Sequence, residues 1–218
     1  MASTQPLPVA VLVSGRGSNL RALADAIDAG TCDARIAGVV ADRARCAALD
    51  FARERALPTR VVRPKDHADR AAWDAALAEA VGALAPDLVV LAGFMRLVGD
   101  AFLAGFGGRT VNVHPSLLPA FPGLDAPGQA VTAGVRISGC TVHLVDAGVD
   151  TGPILAQAAV PVRPDDDAAR LHARIQPLEH RLLPRVVDWV ARGRLELGGE
   201  PRWTGPAASD GALFSPDA

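Results

Sequence analysis

An amide and an imidazole stand two residues apart near the end of one apolar run, in TVNVHPSLLPAFPGL, residues 110–124. Because successive side chains of a strand alternate between its faces, Asn112 and His114 would share one face while the valines point to the core. Pro115 cannot continue a central strand, so the proline-rich stretch after it predicts an ordered loop. An amide N–H and a protonated imidazole can stabilise developing negative charge, but two polar residues can equally cap a strand.

A second segment, DAGVDTGP at residues 146–153, places the carboxylates of Asp146 and Asp150 among glycines. Loop aspartates usually form turns. In an open α/β sheet, however, ligands bind beyond the carboxyl ends of the strands, and this turn could reach the same edge as His114. A carboxylate there would stabilise an imidazolium. Amide, imidazole and carboxylate together suit acyl or formyl transfer through a tetrahedral intermediate.

The segment SGRGSNL, residues 14–20, follows the first predicted strand and contains two glycines that permit a tight turn. A helix that starts there would offer free N–H groups to an anion, although a plain capped turn is equally compatible. A dinucleotide fingerprint is the sharper alternative, helped by Asp42 after the second strand, but Leu20 stands where that pattern has Gly or Ala. A single phosphate is favoured. The N–H groups that would face it belong to Gly17, Ser18 and Asn19.

Apolar runs and helical stretches alternate along the first half of the chain, which predicts a doubly wound, Rossmann-like α/β domain with a mainly parallel sheet. Two later runs, 139–146 and 153–162, are separated only by a turn and predict an antiparallel addition. The amphipathic stretch 165–192 predicts a helix that Pro177 and Pro184 kink or break. The predicted parallel strands are 8–13, 35–41, 59–62, 87–92 and 110–113, and the helices between them lie near 19–29, 43–56 and 67–84.

Composition allows a compact enzyme and argues against several other classes. The 218 residues, half of them hydrophobic, suffice for one sizeable core. We predict a domain over residues 1–197 and an irregular tail over 198–218. A net charge of -2 gives no electrostatic case for nucleic acid or a membrane surface as partner. Three widely spaced cysteines predict neither disulfides nor a metal site and favour a reducing cytoplasm.

Five segments resemble, in order and spacing, the phosphoribosylglycinamide formyltransferases of purine biosynthesis: SGRGSNL, LAGFMRLV, NVHPSLLPAFPGL, VHLVDAGVDTGPILAQ and IQPLEH. The combination of HPSLLP with a downstream DTGPI is specific for folate-dependent formyltransferase-type domains. The resemblance implies formyl transfer from 10-formyltetrahydrofolate, a co-substrate, to the amine of glycinamide ribonucleotide, with no metal and a possible homodimer. The sequence departs from the family at 125–128, DAPG, where the family often carries histidines and an arginine.

The resemblance also implies roles for individual residues. The implied catalytic residues are Asn112, His114 and Asp150. The implied ribonucleotide contacts are Gly17, Ser18, Asn19, Gln176 and Glu179. The implied folate contacts are Arg70, Met95, Arg96, Leu97, Val98 and Asp146.

Other functions remain open at this point. A formyltetrahydrofolate hydrolase would share the domain and the catalytic residues, but that family usually carries an extra N-terminal regulatory domain. The related formyltransferase for initiator methionyl-tRNA adds a C-terminal domain and needs a basic surface. A nucleotide- or NAD-binding module without this chemistry is disfavoured by Leu20. His143, on the predicted hairpin, is expected to be a strand histidine with a satisfied hydrogen bond rather than a site residue.

Overall fold

Strands and helices alternate through most of the chain that the structure, a computed structural model, describes: residues 5–198 and 200–205. The strands of the central sheet are β1 (Leu7–Val13), β2 (Ala34–Ala41), β3 (Thr59–Val61), β4 (Leu88–Leu91), β5 (Thr110–His114), β6 (Ile137–Leu144) and β7 (Ile154–Pro161). The α-helices are α1 (Ser18–Asp28), α2 (Ala47–Glu54), α3 (Arg70–Gly82), α4 (Asp100–Phe106), α5 (Ala126–Thr132) and α6 (Ala168–Ala191).

The central sheet has the order β3-β2-β1-β4-β5-β6-β7. Strands β1 to β5 are parallel, and β6 is antiparallel to both β5 and β7. The predicted doubly wound, mainly parallel sheet with an antiparallel C-terminal addition is therefore confirmed. The order reverses between β1 and β4, and the carboxyl ends of strands beside such a reversal are where open α/β sheets bind ligands.

Both faces of the sheet are buried, which explains why its strands are continuous apolar runs. In β1, Val9 and Val11 belong to a core that also contains buried residues of α1 and α6. Ala10 and Leu12 point the other way, into a second core that includes residues of α3 and α4. The two layers of helices therefore hold β1 and its neighbours rigidly, and the polar residues that follow the strands lie on a fixed edge.

Two short helices, α4 and α5, were not predicted from the sequence. Each has seven residues, too few to show a clear helical period. The last long helix is not broken at its prolines, because α6 continues through Pro177 and Pro184. Each proline removes one backbone hydrogen bond, and the buried apolar face of a 24-residue helix offsets that loss.

The predicted irregular tail from residue 198 is wrong at its start. A second, two-stranded sheet pairs β8 (Leu195–Glu196) with β9 (Arg202–Trp203), so ordered pairing crosses the predicted boundary at 197. Trp203 makes an edge-to-face contact with Trp189 of α6, with ring centroids 5.2 Å apart. Aromatic packing and a short ladder outweigh the local glycine and proline content. The rest of the predicted tail, 206–218, lies outside the described residues, and the division into domain and tail stays a prediction.

A buried carboxylate connects α3 to the start of α4. Asp74, 3% exposed, accepts the backbone N–H groups of Gly99 at 2.5 Å and Phe102 at 3.0 Å. These are two of the N–H groups that the first turn of α4 cannot satisfy itself. Asp74 therefore fixes the end of the segment that leads from β4 into α4.

We expect Asp74→Ala to lower the free energy of unfolding by roughly 1–3 kcal/mol, since it leaves buried N–H donors without acceptors. Asp100→Ala is the matched control, because Asp100 lies exposed in the first turn of the same helix and should matter much less. Urea denaturation of both variants measures the difference. Equal losses would mean that Asp74 contributes only general helix-dipole stabilisation.

Candidate active site

The end of β5 presents the polar pair predicted from its alternation. Val111 and Val113 are buried in the core. Of the two polar residues that alternate with them, Asn112 is half-buried and His114 is buried, with 5% of its surface exposed. His114 Nδ1 lies 3.3 Å from Asp150 Oδ2, and Nε2 lies 2.9 Å from the carbonyl oxygen of Phe121. Both neighbours are hydrogen-bond acceptors. Each ring nitrogen of His114 therefore faces a group that can accept an N–H.

Asp150 gathers the other polar groups around its carboxylate. The Gly123 N–H donates to Oδ2 at 2.8 Å, and Asn112 Nδ2 lies 3.4 Å from Oδ1. Burial alone would raise the pKa of the Asp150 carboxyl. The hydrogen bond with His143, the Gly123 N–H and the charges of His114 and His143 outweigh burial and leave that pKa below its ordinary value.

His143 lies inside the candidate site, which the sequence did not predict. It pairs opposite Asn112 across β5 and β6, and its Nε2 lies 3.1 Å from Asn112 Nδ2 and 3.5 Å from Asp150 Oδ1. Its Nδ1–H donates to the Leu144 carbonyl at 2.8 Å, which leaves Nε2 facing both Asn112 and Asp150. The sequence shows His143 on a predicted strand, but the register that places it opposite Asn112 depends on pairing between distant parts of the chain.

The predicted catalytic residues share one cavity of about 480 Å³ with most of the predicted folate contacts. Four apolar side chains in its lining are exposed: Met95 by 62%, Leu97 by 53%, Leu124 by 82% and Val149 by 44%. Exposed apolar groups around a concave site suit a flat aromatic ligand. The predicted site residues that line this cavity are Asn112, His114, Asp150, Met95, Arg96, Leu97, Val98 and Asp146.

Arg70 is the predicted folate contact that does not line this cavity. It lines a second cavity of about 310 Å³, together with Arg96, which lines both. Arg70 Nη2 also donates to the carbonyl of Leu97 at 2.7 Å. The smaller cavity therefore has two arginines in its lining, beside the carboxylate of Asp69.

The predicted ribonucleotide contacts form a separate group between α1 and α6. Gln176 Nε2 lies 3.4 Å from Ser18 Oγ, and Asn19 Nδ2 donates to Glu179 Oε2 at 3.2 Å. This group follows β1, and His114 ends β5, with β4 between the two strands. Two strand spacings place the strand ends about 10 Å apart. The structure thus brings the five residues together beside the catalytic group rather than within it.

Gly17 is required by the packing of the loop itself. Its φ is +74°, and a Cβ there would lie 2.6 Å from the Cβ and 2.9 Å from the Cα of Ala48 on α2. The loop therefore passes too close to α2 for any side chain. A Gly17 substitution would disturb this packing as well as an anion site, so Ser18 is the better position at which to test phosphate binding.

The dinucleotide alternative loses the support that Asp42 gave it, and the departure at Leu20 still counts against it. The Asp42 side chain is fully buried and pairs with Arg96 and Arg43, so it does not face a ribose. Leu20 is completely buried in the core, where the fingerprint would need a small residue.

Within residues 5–198 and 200–205, no cluster of three or more His, Cys, Asp or Glu side chains could hold a metal ion. In the same part of the chain, no helix is long and apolar enough to cross a membrane.

Two sequence relatives match this chain over most of their length. A phosphoribosylglycinamide formyltransferase of Mycobacterium tuberculosis is 52% identical over 186 residues, which cover 85% of this chain and 86% of that protein. The enzyme of the same name from Bacillus subtilis is 42% identical over 178 residues, covering 82% of this chain and 91% of that protein.

Solved structures agree with these sequence relatives. Glycinamide ribonucleotide transformylase 1 from Symbiobacterium toebii superposes with a TM-score of 0.89 at 45% identity, covering 93% of this chain and 96% of that one. A formyltetrahydrofolate deformylase from Pseudomonas syringae has a TM-score of 0.84 at 24% identity, covering 93% of this chain and 67% of that one, which shows a shared fold alone. The sequence profile of the formyl transferase family matches residues 7–187. This chain therefore belongs to the formyl transferase family.

Proposed function

We propose that this chain transfers the formyl group of 10-formyltetrahydrofolate to the amine of glycinamide ribonucleotide, giving formylglycinamide ribonucleotide and tetrahydrofolate. The observation that carries the proposal is the grouping of Asn112, His114 and Asp150 in one cavity, beside a separate polar group between α1 and α6. The names of relatives that match most of this chain support the same reaction. A cytoplasmic location is the proposed compartment, supported by three unpaired cysteines.

The first chemical step forms a bond between the ribonucleotide amine and the formyl carbon, and it places negative charge on the formyl oxygen. Asn112 Nδ2 has two N–H groups, directed at His143 and, at the longer distance of 3.4 Å, at Asp150. The weaker of these contacts is the one that a substrate oxyanion can replace. A donor held in place before reaction stabilises such charge without reorganisation in the transition state.

His114 supplies the second donor and the proton that the reaction must move. The new carbon–nitrogen bond makes the amine nitrogen positive, so it must lose a proton, and the leaving folate nitrogen must gain one. His114 Nε2 lies 2.9 Å from the Phe121 carbonyl oxygen, and a substrate atom that enters the cavity competes with that carbonyl for the ring N–H. Asp150 favours the protonated ring from the Nδ1 side and can accept the amine proton through a water.

The group between α1 and α6 would hold the acceptor. The N–H groups at the start of α1, near Ser18, suit the phosphate. Burial raises the pKa of Glu179 to about 7, against the hydrogen bond from Asn19 and the charge of Arg16, which lower it. A carboxyl group that is half-protonated near neutral pH can both donate to and accept from ribose hydroxyls. It also repels a nearby phosphate less than a full carboxylate would.

A formyltetrahydrofolate hydrolase is the second candidate, since the Pseudomonas syringae deformylase has the same fold. The fold therefore cannot separate the two reactions, whereas the acceptor group can. A hydrolase uses water as its nucleophile and has no use for a phosphate site. The polar pairs that join Ser18 to Gln176 and Asn19 to Glu179 favour the transferase.

The proposal predicts strict dependence on the acceptor. Purified protein with 10-formyltetrahydrofolate alone should release almost no tetrahydrofolate, because a transferase must exclude water until the amine is bound. Addition of glycinamide ribonucleotide should start turnover, with one formyl group transferred per folate released. Folate absorbance and formate assays measure the two products. Formate released at full rate without the ribonucleotide would instead identify a hydrolase.

Asp150→Asn should lower turnover and move the alkaline limb of the pH–rate profile to lower pH. The substitution removes the carboxylate that lies against His114 Nδ1, so an imidazolium that acts as the proton donor loses its charge partner. The pKa of Asp150 is below its ordinary value, so the carboxylate is ionised throughout the neutral range and adds no limb of its own there. Thermal melts check that the variant is folded. An unmoved alkaline limb would place Asp150 outside the proton pathway.

Glu179→Gln should stabilise the protein above neutral pH. A folded-state pKa of about 7, against an ordinary 4.5, means that the wild type loses stability as pH rises through this interval. The variant lacks this loss, so its advantage should be roughly 1–3 kcal/mol at pH 8 and vanish below about pH 4.5. Glu79→Gln, at an exposed site on α3, is the control and should show no such trend. Melting curves at pH 4.5 and 8 decide the matter.

A further inference from the structure

A fully buried carboxylate lies at the end of β2, outside the catalytic group. Asp42 Oδ2 pairs with Arg96 Nε at 2.9 Å, and Oδ1 pairs with Arg43 Nε at 3.3 Å. The Asp42 side chain has no exposed surface, whereas the Arg96 and Arg43 side chains are 46% and 51% exposed. A buried carboxylate that loses a partner is costly, so the burial of Asp42 favours conformations in which the two arginine side chains stay paired with it.

Arg96 belongs to the segment 95–98, which lines the large cavity. Each of its first three residues is held by a side chain from a different element. Met95 N–H donates to the Oγ of Ser14, at the end of β1, at 2.9 Å. Arg96 pairs with Asp42, and the carbonyl of Leu97 accepts from Arg70. Side chains from elsewhere thus set the conformation of a segment that has no helix or strand of its own.

The pair Asp42–Arg96 has a particular place among these contacts. Arg96 lines both the large cavity and the smaller one, so its side chain borders both cavities. Asp42 engages the Nε of Arg96, on the stem side of the guanidinium, and its contact leaves the two terminal nitrogens available to a ligand. A planar guanidinium that is held through Nε has a fixed orientation, whereas a compact ammonium group such as that of lysine would not be oriented in this way.

We propose that Asp42 is a positioning residue for the donor site: its buried carboxylate holds Arg96, and with it the segment 95–98, in the conformation that receives the folate. This inference rests on the proposed function, because it takes the large cavity as the folate site. Asp42 touches no reacting atom in this account. It acts through Arg96, and it should therefore affect donor binding without affecting acceptor binding.

Titration calorimetry with tetrahydrofolate and with glycinamide ribonucleotide, each added alone to the full chain, tests the proposal. Asp42→Asn keeps the shape of the side chain and removes its charge. We expect it to weaken tetrahydrofolate binding by about ten-fold or more, because Arg96 and the segment it belongs to lose their fixed orientation. Binding of the ribonucleotide should stay the same. A purely structural role would lower the melting temperature and the active fraction but leave both dissociation constants unchanged.

Two further variants isolate the Arg96 link. Arg43→Met removes the other ion pair of the same carboxylate and should leave tetrahydrofolate binding unchanged. Arg96→Met should weaken it, and the double variant Asp42→Asn/Arg96→Met should be no weaker than the worse single variant, because both break one link. Additive losses, or an equal loss from Arg43→Met, would overturn the proposal.

The same measurements separate this inference from the proposed function. A wild type that binds tetrahydrofolate but transfers no formyl group to the ribonucleotide would refute the proposed function alone. A wild type that transfers the formyl group, while Asp42→Asn binds tetrahydrofolate as tightly, would refute the role of Asp42 alone. A wild type that does not bind tetrahydrofolate would refute both.

Discussion

The Asp150 carboxylate is the contact on which the candidate site depends, because it contacts two neighbouring strands and the proline-rich loop at the same time. It meets His114 of β5, His143 of β6 and the backbone of Gly123 in the proline-rich loop. Asp150 does this from a left-handed conformation, φ 54°, which is unfavourable for a residue with a side chain. Such a conformation persists only where surrounding contacts hold it, and the carboxylate supplies several of these contacts.

The second constraint is the sheet, which sets distances that no single side chain could set. Because β1, β4 and β5 are parallel neighbours, their carboxyl ends lie along one edge, and the loops that follow them share it. The turn that follows β1 and the candidate catalytic residue His114 at the end of β5 are kept about two strand spacings apart by the backbone hydrogen bonds of the sheet. A deformylase with this fold has the same spacing available. The side chains at the ends of β1 and β5, rather than the fold, decide which reaction follows.

Sequence reasoning succeeded where a short-range pattern carried the information. The alternation in β5 placed Asn112 and His114 on one face, and the apolar runs predicted the parallel strands. It failed where tertiary contacts decide: His143 enters the site through a strand register, and α4 begins where Asp74 of another helix caps it. The roles of the folate and ribonucleotide contacts came from resemblance, and the structure adds how they group. Asp42 fitted a ribose-binding pattern by its position after β2, and only its burial between two arginines shows otherwise.

The close approach of Gly17 to α2 restricts how this loop can change over evolution. A side chain at position 17 would collide with the Cα of Ala48 as well as its Cβ, so replacing Ala48 by glycine would not make room. A compensating change would have to displace the whole start of α2, which also donates the Ala48 N–H to the carbonyl of Gly15. No single second substitution achieves that. The loop and the helix beside it can therefore diverge only together, and a lineage that loses this glycine must rebuild both.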